Sequence, residues 1–98
     1  MNSTSVDTEM LIGSLSNDLF RVATLSQRGS TQAAQRFLSE AKRWAKPLKD
    51  QKVASYILDI AQDVAERDVK DISIESAERY LMYGILLQNY IFHVYVQK

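Results

Sequence analysis

Asp59, Asp63 and Glu66 stand at i, i+4 and i+7, so a helix through them presents all three carboxylates on one face. Oxygen donors grouped in this way are what Mg²⁺ or Ca²⁺ takes up. Di-iron helical bundles add Glu-x-x-His pairs from neighbouring helices. This chain has no such pair: Tyr90 occupies the matching position before its single histidine, His93. Lys52 and Lys70 share the acidic face, and Glu66 and Lys70 have i,i+4 spacing. The face therefore reads as a solvated, charge-compensated helix surface. No metal and no cofactor is expected.

Other catalytic patterns are no better supported. Helical nucleotide pyrophosphatases need two paired acidic motifs on separate helices, and here only Glu75-x-x-Glu78 could serve. His93 has neither a nucleophile nor an orienting carboxylate beside it in sequence. Arg79 is too distant from it for a short Arg–His motif. The chain contains no Gly-rich phosphate loop, nucleophile elbow or metal-ligand spacing. An enzyme is not expected.

A basic segment is the second feature with chemical potential. Arg36, Lys42, Arg43, Lys46 and Lys49 could neutralise phosphates, and an exposed Trp44 could stack on a base. However, Trp44 falls on the apolar stripe with Phe37 and Ala41, which makes it a core residue by default. Glu40 and Asp50 dilute the patch, and no helix-turn-helix signature accompanies it. A nucleic-acid-associated accessory protein, held by electrostatic contact over residues 36–52, is the alternative reading.

The elements that must position these residues are helices. Ninety-eight residues suffice for a single domain with one modest core. Three Gly and one Pro leave few turns, which favours a few long helices over many short strands. Lys+Arg and Asp+Glu both number twelve, so no global field draws the chain to nucleic acid or membrane. Charge is nevertheless polarised along the chain, basic from Arg36 to Lys52 and acidic from Asp59 to Glu78. The absence of cysteine excludes a disulfide-stapled scaffold and a thiolate metal site. The first residues carry neither a basic nor an apolar leader segment, so a cytoplasmic protein is expected.

Four helices follow from the spacing. The first runs from Asp7 to Gln27 with Leu11, Ile12, Leu15, Leu19, Val22 and Ala23 on its apolar side. Gly29 ends it, and Ser30 or Thr31 caps a second helix reaching about Ala45. Pro47 interrupts there, since the residue before a proline disfavours the α conformation. Either Pro47 opens a new helix directly, or residues 46–49 form a hairpin loop with Asp50 as the next cap; the hairpin is favoured. The third helix presents Val53, Tyr56, Ile57, Ile60, Ala61 and Val64 and ends near Asp68. Ser73 or Asp71 caps the fourth, which runs to Lys98. An all-α four-helix bundle with up-down-up-down connections is the simplest arrangement, covering residues 1–98 as one domain.

The fourth helix departs from the one-sided pattern of the others. Ile74, Leu81, Ile85, Phe92 and Val96 line one side, and Tyr80, Leu87, Tyr90, Ile91 and Val94 the adjoining side. The polar residues Glu75, Arg79, Asn89, His93 and Gln97 share a narrow strip. An apolar arc of about 240° is more than three neighbouring helices readily cover. A membrane anchor over Leu81–Val96 is too short and carries Gln88, Asn89 and His93. The helix is therefore expected either at the centre of the bundle or shared between subunits. The favoured function is a non-enzymatic interaction module that forms a homodimer through this helix and contacts another protein. Small residues Ala77 and Gly84 permit close approach, with Ile91 continuing their line. Tyr80, Leu87, Val94 and Tyr95 complete the expected interface.

Overall fold

The computed structural model describes residues 7–96. Residues 1–6, which carry the leader reading, and residues 97–98, which include Gln97 of the polar strip, lie outside the described residues. Four α-helices make up the fold, with no strand among the described residues.

Helix α1 spans Thr8–Gln27. Asp7 caps it, its Oδ1 accepting the Met10 amide at 3.2 Å. At the other end Gly29 takes φ +79°, a left-handed conformation open to glycine at little cost. The Ser30 amide returns to the Leu25 carbonyl at 2.9 Å and the Gly29 amide to that of Ser26 at 3.1 Å. These two bonds make a Schellman ending, which lets α2 begin at once.

Helix α2 spans Thr31–Leu48 and buries Ala34, Leu38, Ala41, Ala45 and Leu48. The expected break at Lys46 does not occur. Pro47 lies inside the last helical turn; it lacks an amide bond to the Arg43 carbonyl and its ring crowds that oxygen, but only Leu48 follows it in the helix. The Lys49 amide still reaches the Ala45 carbonyl at 3.2 Å. The helix then unwinds through bonds from Asp50 to Pro47 and from Gln51 to Leu48. Leu48, fully buried, rewards continuation of the helix past the proline.

Helix α3 spans Ser55–Glu66. Its N-cap position is Ala54, not Asp50, which stays in the turn after α2. Val53 precedes the helix and packs against the core. Ile57, Ile60, Ala61 and Val64 form the buried face. Helix α4 spans Ile74–Ile91, and Ser73 caps it by accepting the Ser76 amide at 3.2 Å. A π-helical turn, Phe92–Val96, continues it in place of the single α-helix expected to the chain end.

The central helix is α1, which packs against both α2 and α4, while α3 packs on α2. Two flanks explain why α1 buries Ser16 and Asp18 as well as its leucines. Against α4 it runs in the opposite direction: Gly13 faces Ile91, Ser16 faces Gln88 and Phe20 faces Gly84. Against α2 it also runs oppositely, with Asp18 reaching Trp44 and Arg21 lying over Phe37. Helix α4 is thus peripheral, covered on one side and open on the other.

Candidate functional site

Two sides of α4 have different fates, and α1 decides between them. Ala77, Tyr80, Gly84 and Leu87 are fully or nearly fully buried within the single chain. A β-carbon on Gly84 would lie 2.9 Å from Phe20 Cε1, so the glycine does serve close approach, but to α1 of its own chain. The Ser16 hydroxyl donates to the Gly84 carbonyl at 3.0 Å and accepts from Gln88 Nε2 at 3.1 Å, locking the two helices in register. These four expected interface positions therefore offer no surface to a second molecule. Ile91 and Tyr95 are half-buried against the core, and Val94 is 37% exposed.

The open side carries Ile74 (69% exposed), Leu81 (39%), Ile85 (48%) and Phe92 (50%). At 100° per residue these four lie within about 40° of one another. Met82, on the flank, and Val96, at the far end of the π-turn that Phe92 begins, are exposed as well. Scattered surface leucines need no explanation, whereas an aligned apolar stripe along a helix does.

A polar cluster at the junction of α3 and α4 reinforces the choice that α1 makes. Arg67, just past the end of α3, grips Asp63 with two nitrogens at 2.9 and 3.1 Å and Asp71 with a third bond at 2.6 Å. Ser76 donates to Asp71 and lies 3.3 Å from the same guanidinium. The Tyr80 hydroxyl donates to the Asp71 carbonyl at 2.6 Å, and that of Tyr83 to Asp63. Arg67 also sits 5.4 Å from the centre of the Tyr80 ring. Lys42, reaching from α2, donates to the Arg67 carbonyl. Tyr90 extends the seam with its hydroxyl, accepting the Ala54 amide at 3.3 Å while Tyr56 meets its ring edge-on. With Tyr80, Tyr83 and Tyr90 committed inward, α4 cannot rotate its apolar outer stripe into the core.

The charges agree with a structural role for this cluster. Burial opposes ionisation of Asp63, but hydrogen bonds from Arg67 and Tyr83 outweigh it and hold the carboxyl below its ordinary range. Asp71 is lowered chiefly by the Ser76 hydrogen bond, with Arg67 adding to it against burial. Tyr80 is pushed up to about 12, mainly by burial. The acidic face of α3 is accordingly divided. Asp63 pairs with Arg67, Glu66 accepts from Gln62 at 2.9 Å, and Asp59 points to solvent. No group of three potential ligands able to hold a metal exists among the described residues.

The basic segment is likewise split by the fold. Arg36 and Arg43 flank Glu40 in a shallow depression of about 350 Å³. Lys42 turns the other way, to the Arg67 carbonyl, while Lys46 and Lys49 are exposed further along. Trp44 is half-buried, packs against the core and donates its indole N–H to Asp18 at 3.0 Å. Among the described residues no helix is long and apolar enough to cross a membrane.

Arg67, at the centre of this cluster, is not among the residues that composition and motif single out. Its i,i+4 spacing to both Asp63 and Asp71 is the signal in the sequence that marks it. Compared with known proteins, the chain matches no family model, no curated protein and no solved structure.

Proposed function

We propose that this protein is a non-enzymatic protein–protein interaction module, serving as adaptor, regulator or assembly subunit, that self-associates through the outward side of its C-terminal helix. The observation that carries the reading is the aligned exposure of Ile74, Leu81, Ile85 and Phe92 on a helix whose other side is fixed in the core. Burial of such a stripe is favourable at about 25 cal/mol per Å² of apolar surface, and another helix is the shape that fits it. The four helices are taken as an up-down-up-down bundle, consistent with the opposed contacts of α1 with α2 and of α1 with α4. A cysteine-free chain suits a reducing, cytoplasmic setting.

Linkage between association and folding provides the test. A protein that dimerises in its native state melts at a temperature that rises with concentration. Melting curves over a hundredfold range of protein should show this rise for the wild type and not for Leu81→Asp. A melting temperature independent of concentration in both proteins would remove self-association as the function of this surface.

A further inference from the structure

The outer stripe of α4 has an internal symmetry that specifies its occupant. Positions 74, 78, 81, 85, 88 and 92 are separated alternately by four and three residues, the 3.5-residue spacing of a coiled-coil seam. Their residues read Ile, Glu, Leu, Ile, Gln, Phe. The order is the same in kind from either end: apolar, polar, apolar, apolar, polar, apolar, with its centre at residue 83.

We propose, resting on the self-association reading, that α4 pairs with α4 of a second copy in antiparallel orientation about a two-fold axis near residue 83. In that register Ile74 meets Phe92 of the second copy, Leu81 meets its Ile85, and Glu78 meets its Gln88. Every apolar side chain then faces an apolar one. Each Glu78 faces an amide that can donate to it. Gln88 already gives one N–H to Ser16 at 3.1 Å, and its amide nitrogen carries a second.

Charge selects against the competing arrangement. A parallel, in-register pair would bring Glu78 against Glu78 in the middle of the seam, a like-charge contact that disfavours it. A two-fold antiparallel pair is an isologous interface, in which each contact occurs twice. Nothing in a heterologous partner would require the stripe to be symmetric about its own midpoint. The seam is about 27 Å long at 1.5 Å per residue. A single helix pair of that length covers about 1,000 Å², near the lower bound for a specific interface, so the dimer should dissociate on dilution.

The natural absence of cysteine makes the register measurable. Ile74→Cys and Phe92→Cys, both at exposed positions, are oxidised separately and as an equimolar mixture, with helicity checked by circular dichroism. Disulfide dimers should form in the mixture, linked 74 to 92 by mass spectrometry, and not in either variant alone. Cross-linking of Ile74→Cys to itself would establish a parallel pair and overturn the antiparallel register while sparing self-association. A dimer in solution with no cross-link in any sample would likewise overturn the register. Monomers at every concentration, uncross-linked, would overturn both readings and leave the stripe to a different protein. As a second measurement, Gln88→Lys places an ammonium opposite Glu78 of the second copy and should tighten the dimer about tenfold at low salt. In a parallel pair the same change sets lysine against lysine and weakens it, which would contradict the proposal.

Discussion

Phe20 and Gly84 meet at the crossing of α1 and α4, where a β-carbon on the glycine would come within 2.9–3.1 Å of three ring atoms. This contact lets α4 approach the central helix closely. Alanine in place of a helical glycine ordinarily gains about 1 kcal/mol, whereas forcing the ring aside costs about 1–3 kcal/mol. Gly84→Ala should therefore lower stability in urea by about 1 kcal/mol, and in a Phe20→Ala background it should instead raise it. A gain in both backgrounds would show that the ring does not set the helix spacing.

Arg67 holds Asp63 and Asp71 together across the α3–α4 connection. Replacing it with methionine keeps volume but leaves two partly buried carboxylates without their cation. Removing one member of a buried pair costs about 3–5 kcal/mol, and the exposure of the two aspartates, 30% and 36%, reduces the expected loss to about 2 kcal/mol. Both carboxyls are held below their ordinary range, so their stabilising effect is complete above pH about 4 and is lost as pH falls through the depressed values. Arg67→Met should accordingly flatten the acid side of the stability profile, as measured by urea unfolding from pH 2 to 6. An unchanged acid limb would contradict the role given to this cluster.

Asp18 behaves in the opposite sense. Burial, with Glu40 adding repulsion, raises its carboxyl to about 6 despite the hydrogen bond from Trp44 and the charge of Arg21. A folded-state value above the unfolded one means that its contribution is fully present below pH about 4 and is lost as pH rises through about 6. Asp18→Asn keeps an oxygen acceptor for the indole and removes the charge. The variant should match the wild type near pH 4 and exceed it by about 3 kcal/mol above pH 7, the free-energy equivalent of the displaced carboxyl. Equal stabilities at pH 7.5 would show that the carboxylate is ionised there at no cost.

The local signals in the chain were legible and the division of the fourth helix was not. Asp7, Gly29 and Ser73 mark helix ends by short-range chemistry, and each acts as its type suggests. Pro47 does not end its helix one residue early because only Leu48 follows it there: its lost bond and the crowding of the Arg43 carbonyl distort little downstream helix, and the burial of Leu48 opposes that cost. The small residues Ala77 and Gly84 signal a close helix approach, but a sequence does not say whose helix will come close. The apolar line Ile74, Leu81, Ile85 and Phe92 was visible as one side of a wheel. The close fit of Gly84 on Phe20 of α1, with the inward commitment of Tyr80, Tyr83 and Tyr90, decides that this line faces out.

Sedimentation equilibrium of the wild type beside Ile85→Asp tests most directly whether the open side of α4 is a contact surface for a second copy. Ile85 is 48% exposed, so the substitution should leave helicity and urea-induced unfolding of the single chain nearly unchanged. The wild type should approach twice the chain mass of 11.2 kDa as concentration rises, while the variant stays at one. A wild type that remains at one chain mass throughout, or a variant that dimerises equally well, would contradict the assignment of this surface.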